Sequence, residues 1–266
     1  MTTVDAPHLT LTGDELTAIA RRLGARRFPG VGSSVYDEVP AAHHGVLTKS
    51  LLASIAARGL VAEQDGRLIA SPHVAMLLGP SLRSGISYSI TRVTEDGHQS
   101  TTALGAVDTT VVWHRADGPF HRFDVVRTDG DIGAALLDVV DPSPAATEPE
   151  PAPHLAGARR FRRRRSQLRQ ATTRPELVPP AFGEALDHWR ATTTVTQVGA
   201  PSGAVAFSWL AVVDAGPGRL WSVEPDSASP DDGLLDSDDP LLVLTPLDRR
   251  GLRARLSSWC GCVTAA

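Results

Sequence analysis

The chain has one lysine, Lys49, among 26 basic residues, only two cysteines, and aromatic residues at 5% of its 266 positions. No apolar run approaches the ~18 residues that a membrane span requires, so no span is predicted. Met1 to His8 is polar and acidic, with no basic segment leading into an apolar core, and no signal peptide is expected. Cys260 and Cys262 are too few for a disulfide framework and fit a reducing, cytoplasmic setting. The net charge is −4, whereas a protein that grips nucleic acid over a wide surface carries net positive charge, locally or overall. Only one segment here is strongly basic.

Catalytic signatures are lacking too. There is no G-x-S-x-G and no P-loop, and Lys49 falls in a predicted helix with no glycine loop before it. Gly30-Val31-Gly32-Ser33-Ser34-Val35 starts like a dinucleotide fingerprint, but it lacks the third glycine and a preceding strand, so it reads as a loop. His43 and His44 are adjacent on a helix and diverge, which makes them a poor metal pair and a solvated helix start. His98 falls in a turn. His114 and His121, on neighbouring strands, are expected at the surface, although a cross-strand pair is open to them. Trp259-Cys260-Gly261-Cys262 resembles half a zinc knuckle, but two thiolates do not close a four-ligand site, and the segment reads as a frayed C-terminus. No enzyme, cofactor or metal is implied.

The hydrophobic fraction of 42% and charged fraction of 21% are those of a globular chain. Thr12-Gly13-Asp14-Glu15 is a capping box, and Leu16, Ile19, Ala20 and Leu23 follow on one helical face, stopped by Gly24. A second helix is predicted over about 41–58 with Leu47, Leu51 and Ile55 inward, then a small β-wing at 60–69. A short helix at 72–78 places Val74, Leu77 and Leu78 inside. Four strands follow at about 86–93, 101–107, 110–115 and 120–127, with turns at Asp96-Gly97 and Asp117-Gly118. Asp129 caps a helix to Val140. After a Pro/Ala/Glu-rich stretch, the run Arg159 to Arg165 is predicted on a helix reaching Gln170, and Pro179-Pro180 opens another through Phe182, Leu186 and Trp189. Strands are then read at 192–198, 204–213, 219–223 and 241–244, with an acidic, flexible stretch at 227–239. Thr245-Pro246 reads as N-cap and N1 of a last helix carrying Leu252, Leu256 and Trp259.

The element order occurs twice, which points to an α+β chain with two similar halves around antiparallel strands and not to a βαβ array. One domain over 1–266 is expected, with an N-terminal half of about 1–141, a Pro/Glu-rich linker of about 142–155 and a C-terminal half of about 156–266. A rival functional reading comes from the basic run and the wing: a winged-helix-like DNA-binding regulator using Arg159–Arg165. Against it, the candidate recognition helix from Lys49 to Arg58 holds two basic residues among alanines and leucines.

Several stretches resemble the EspG family of type VII (ESX) secretion-associated proteins of actinobacteria. They are Leu9-Thr10-Leu11-Thr12-Gly13-Asp14-Glu15-Leu16, Ala57-Arg58-Gly59-Leu60-Val61 with Asp65-Gly66-Arg67-Leu68, Ser208-Trp209, Gly218-Arg219-Leu220 and Val243-Leu244-Thr245-Pro246. The resemblance implies a quasi-two-fold fold with a central antiparallel sheet flanked by helices. It also implies a cytosolic chaperone, without chemistry or cofactor, that binds PE–PPE heterodimers or a related helical secretion substrate. Such a chaperone covers the apolar tip of the PPE protein, keeps the dimer soluble and targets it to its secretion system. Partner contact in the family involves the sheet, a strand-connecting loop and the C-terminal helical region. Matched by order, the loop is Thr94 to His98, short for the family, so Glu95, Asp96 and His98 are candidate contacts. Trp209, Leu220 and Trp221 on the later strands, and Phe182, Leu186 and Trp189 on the preceding helix, are further candidates. The arginine run and the Pro/Glu stretch lie outside the family pattern.

Overall fold

Thr12 stands at the junction of strand β1 (His8–Thr12) and helix α1 (Gly13–Arg22), and its capping box forms as predicted. The Thr12 amide donates to Glu15 Oε2 at 2.9 Å, and the Glu15 amide donates to Thr12 Oγ1 at 3.2 Å. The computed structural model describes residues 7–83, 86–140, 160–171, 173–199, 206–216, 219–226 and 239–264. The linker at 142–155, Arg159 and the acidic stretch at 227–238 lie outside the described residues.

The chain divides into two compact units, Met1–Ser87 with Thr102–Asp131, and Tyr88–Thr101 with Ile132–Ala266. The first holds α1, α2 (His44–Ala57), the hairpin β2 (Val61–Gln64) and β3 (Arg67–Ala70), and α3 (Pro72–Arg83). Its strands run in the order β1, β7 (Phe120–Arg127), β6 (Thr110–Asp117) and β5 (Gln99–Val107, from Thr102 on), each antiparallel to the next. Leu16 and Ile19 of α1 and Ile55 of α2 are buried with Leu9, Leu11 and Phe123. Leu23 is not: it follows the last helical turn and is 55% exposed. Glu15 also takes Arg58 at 2.7 Å, joining the start of α1 to the end of α2. The third helix runs five residues beyond the predicted end, through Pro80. It lies so close to β5 that a Cβ on Gly105 would fall 3.0 Å from the Pro80 carbonyl group, so only glycine fits there.

His114 and His121 correct the expectation of a surface position. Both are buried, 4% and 5% exposed, and His114 Nε2 lies 2.8 Å from His121 Nδ1. The His114 ring stacks on Phe123 at 4.3 Å, and Phe28 meets it edge-on. Each residue alternates inward on its own strand, so the buried face receives both rings, and one imidazole donates while the other accepts. Burial, and secondarily His121, push the pKa of His114 down from 6.5 to about 4; burial lowers that of His121 as well.

The second unit orders its strands β4 (Ile86–Thr94, from Tyr88), β9 (Ala191–Gly199), β10 (Ala206–Asp214), β11 (Leu220–Pro225), β12 (Leu241–Leu247) and β8 (Phe161–Arg164). From β9 onward the pairs are antiparallel. Helices α4 (Ile132–Val140) and α7 (Arg249–Thr264) pack together, with α5 (Arg165–Arg169) and α6 (Pro180–Asp187) elsewhere in the unit. Both units are α+β, with antiparallel strands carrying helices, in line with the predicted class.

Three expectations are corrected here. The arginine run is an edge strand before it is a helix. Arg162, Arg163 and Arg164 pair in register with Val243, Leu242 and Leu241, and half-buried Phe161 packs on the core. Alternation along four residues puts Phe161 and Arg163 toward the protein and Arg162 and Arg164 outward, an arrangement a helix does not offer. Thr245-Pro246 does not start the last helix but ends β12. Beyond Leu244 no residue of β8 pairs with it, which leaves an edge where proline's missing N–H is tolerated. Asp248 caps α7 instead, accepting from the Gly251 amide. The C-terminal segment is helical through Thr264 rather than frayed, with Cys260 buried beside the Tyr88 hydroxyl; burial first, and then the thiol, push that phenol's pKa up.

The approach of α4 to α7 rests on Gly133, where a Cβ would fall 2.6 Å from Ser257 Oγ and 2.8 Å from its Cα. Gly133→Val is expected to cost about 1–3 kcal/mol in urea unfolding by overpacking. Gly32→Ala, with nothing within 4 Å, is expected to stay within about 0.5 kcal/mol. The histidine pair predicts a pH dependence with a definite sign. A folded pKa depressed from 6.5 to about 4 means that the unfolded chain takes up protons first. The stability of the neutral pair is thus complete above about pH 6.5 and is lost on descending toward about 4, by on the order of 2–3 kcal/mol. His114→Phe is expected to be less stable at pH 7 yet flatter across that window; an equal slope in the variant would remove the pair as its cause.

Candidate partner-binding surface

The hairpin from β4 to β5 closes through Thr94 to His98, and its geometry is set by one carboxylate. Asp96 Oδ1 accepts from Thr94 Oγ1 and, at 3.1 Å, from the His98 amide. These bonds, that from Thr94 foremost, hold the Asp96 carboxyl below the usual carboxylate range. The Thr94 amide donates to His98 O at 3.0 Å and the Gly97 amide to Thr94 O at 2.8 Å, with Gly97 at φ 79° in the left-handed region that glycine occupies freely. Glu95, Asp96 and His98 are exposed on a turn built from its own short-range bonds.

Two backbone bonds fix this tip within the second unit. The Glu95 amide donates to Arg190 O at 2.8 Å, and the Arg190 amide donates to Asp214 O at 2.7 Å. Arg190 stands between Trp189 and the start of β9, and Leu186 lies in the last turn of α6. Both Leu186 and Trp189 are half-buried, packed against the core of the unit. The backbone bond from Glu95 thus places the turn of Glu95, Asp96 and His98 next to the segment that carries Leu186 and Trp189. Phe182, Leu220 and Trp221 do not present themselves to solvent, at 3%, 7% and 3% exposure. The Phe182 and Trp221 rings meet edge-on at 5.1 Å and support α6 on the strands.

Trp209 belongs to a face that the sequence reading missed. Register pairs Thr196 with Trp209, Thr194 with Ala211 and Val223, and Thr192 with Val213 and Trp221, so these residues share one side. The opposite side carries Val195 and Gln197 of β9 and Leu210 and Val212 of β10, all buried. There Gln197 Nε2 donates to the Tyr88 hydroxyl, Arg92 donates to Val140 O at 2.6 Å, and Trp259 Nε1 donates to Ser208 Oγ. The first side is covered over β11 and β12 by α6 and its neighbours. Over β4 and β9 it remains half-exposed, presenting Thr91, Val93, Thr192, Thr194 and Thr196 beside half-buried Trp209. The strand itself, at 192–198, was readable in the sequence. Which parity stays open was not, because both parities of β9 carry threonine.

This surface mixes hydroxyls, methyl groups and indole carbons, and it adjoins an acidic turn. Among the described residues, no group of three or more His, Cys, Asp or Glu side chains is placed to hold a metal ion, and no helix is long and apolar enough to cross a membrane.

No family model matches the sequence, and no curated protein matches it. Its structure is similar to that of the Mycobacterium tuberculosis type VII secretion system chaperone EspG5, solved in complex with a PE25–PPE41 dimer. That likeness has a TM-score of 0.58 at 14% identity and covers 94% of each chain. The chain has an EspG-like fold.

The turn yields a local prediction. Asp96→Ala removes the acceptor shared by Thr94 and His98, so amide hydrogen exchange at His98 is expected to accelerate by ~10-fold or more while exchange in β9 and β10 stays unchanged. Unchanged exchange at His98 would show that the turn does not depend on this carboxylate.

Proposed function

We propose that this protein is a cytoplasmic chaperone of the type VII secretion kind, binding a PE–PPE-like helical dimer at the tip of its PPE member. The observation that carries this reading is the EspG-like fold, matched across 94% of both chains to a chaperone solved with a PE–PPE dimer bound. The contact surface we assign is the half-open face of the second unit with the turn at Glu95–His98, flanked by Leu186 and Trp189.

The chemistry of that surface suits such a client. A helical tip presents apolar side chains with exposed backbone groups at its helix ends. Methyl groups of Thr91, Val93, Thr194 and Thr196 and the Trp209 indole offer apolar area, while the threonine hydroxyls offer bonds at the same spacing. A stable interface buries about 800 Å² per partner, with a few well-packed aromatic anchors contributing most of the affinity. Trp209 and Trp189 are the anchors of this surface, and Phe182, Leu220 and Trp221 are its support. In this role the protein shields the client from aggregation and delivers it to its secretion machinery without chemistry or cofactor.

The DNA-binding alternative is weakened by where the arginines go. Arg162 pairs with Asp226 at 2.7 Å, Arg163 Nε donates to Leu177 O at 2.7 Å, and Arg164 donates to Asp239 O at 2.9 Å. Side chains held in this way brace the edge strand and are not held ready for phosphates.

Co-expression with PE–PPE-type pairs followed by size exclusion tests the proposal. A soluble ternary complex is expected for a cognate pair. Thr194→Arg, a half-exposed position on the open face, is expected to abolish co-elution while leaving the melting temperature of the chaperone alone unchanged. Failure of every such pair to co-elute or gain solubility would overturn the function. Retention of binding by Thr194→Arg would move the surface elsewhere.

A further inference from the structure

Along α2, Gly45, Lys49, Leu52, Ala53 and Ala56 recur every three to four residues and form one stripe. This stripe lines a groove of about 700 Å³ in the first unit. One wall is the C-terminal end of α1, with Arg21 and Arg22; the other is the β2–β3 hairpin, with Val61, Glu63 and Leu68. The floor is apolar and one rim is cationic.

The cations on this rim are not equivalent. Arg22 is compensated: it pairs with Glu63 at 2.9 Å and donates to Gly66 O, which braces the hairpin against α1. Among the described residues no carboxylate pairs with Arg21 or Lys49. Arg21 is nevertheless held in place. Its guanidinium carbon lies 4.6 Å from the centre of the Tyr36 ring, and the Tyr36 hydroxyl is hydrogen-bonded to Thr48 Oγ1 at 2.9 Å. Arg21 Nε is buried with no hydrogen-bond partner. A guanidinium already ordered against an aromatic ring loses little entropy on meeting an anion.

We propose that this groove receives an acidic amphipathic helix from a partner protein. Charge complementarity selects the acidic character, since carboxylates on the helix would meet Arg21 and Lys49. The apolar floor selects leucine-type anchors, which would rest on Leu52, Val61 and Leu68. The small residues Gly45, Ala53 and Ala56 on α2 allow a second helix backbone to come close, so a helix fits better than an extended strand, for which the groove offers no sheet edge. The surface belongs to the first unit alone and does not rest on the reading of the open threonine face.

The test uses the full chain and three fluorescein-labelled peptides of about 18 residues. The first has leucines at i, i+3, i+4 and i+7 with glutamates flanking them; the second carries lysine for glutamate; the third has the composition of the first in scrambled order. Fluorescence anisotropy at low salt is expected to show binding of the first peptide only, weakening ~10-fold between 50 and 500 mM salt. Lys49→Glu, at an exposed position, is expected to weaken that peptide ~10-fold and to allow the lysine peptide to bind. Ala53→Trp, which fills the floor, is expected to abolish binding with an unchanged melting temperature. Several outcomes overturn the proposal: no binding of the glutamate peptide at 100 μM or so, equal binding of the scrambled peptide, or indifference to both substitutions. Binding of dodecanoate without the helix, or self-association of the protein that Lys49→Glu abolishes, overturns it in favour of a small amphiphile or a second copy.

Discussion

Strands β4, β9, β10 and β11 of the second unit bury one side toward α4 and α7, and the remainder of that unit follows from how this is met. Strand residues alternate, so once Tyr88, Val195, Gln197, Leu210 and Val212 are committed to the helices, the other parity is fixed on the opposite side. The committed side is not purely apolar. Gln197, Thr193, Ser208 and Glu224 lie on it, and each has a partner: the Tyr88 hydroxyl, Arg92, Trp259 and Arg255. These bonds set the register of α7 and the sheet in a way that apolar burial alone would not, because a slipped helix would leave them unmet in a dry layer. Among the described residues, the opposite side is covered over β11 and β12 by the eight-residue helix α6 with Leu168, Ala171 and Val178 beside it. That helix packs on β10 and on Trp221 of β11. Among the described residues, the open threonine face is the part of the sheet that this layer does not cover.

The same constraint explains what could be read from the chain and what could not. Local chemistry was legible: the Thr12–Glu15 box, the wing, the turns at Asp96-Gly97 and Asp117-Gly118, and the inward stripe of α3 depend on neighbours in sequence, and they stand where they were read. The arginine run was not legible because its conformation is decided by a distant strand. Arg162 to Arg164 pair with residues some eighty positions later, and a four-residue edge strand has too little periodicity to announce itself against a helical reading. Pro246 misled for the opposite reason. A Thr-Pro pair is a good helix start in general, and only because β8 pairing ends at Leu244, among the described residues, is proline acceptable at the end of this strand. The histidine pair was hidden by charge convention: histidine counts as a surface residue until a second imidazole and a phenylalanine ring take its place in the core.

The candidate surface follows this division. Glu95, Asp96 and His98 form a turn of local bonds and were visible as a turn. That they adjoin Trp189 depends on the Glu95–Arg190 backbone bond, which joins residues 95 positions apart and leaves no trace in composition. Phe182 and Trp221 were attractive as aromatic contacts, but the parity of β11 that faces α6, and α6 itself, use them for packing. A tryptophan marks a place where much surface is buried; the layer above it determines whether a partner or the protein's own core does the burying.

Two surfaces with different chemistry emerge, and each is built within one unit. The threonine face of the second unit offers neutral hydroxyls and methyl groups, so its selectivity has to come from shape and from where its indoles stand. The groove of the first unit offers two cations, Arg21 held by the Tyr36 ring and exposed Lys49, that have no carboxylate partner among the described residues, so its selectivity comes from charge and is sensitive to salt. A change at Thr194 alters no group that lines the groove, and a change at Lys49 alters none on the open face. Effects at sites with no shared partner add. Binding energy measured at one surface in the variant of the other is then a direct measure of coupling.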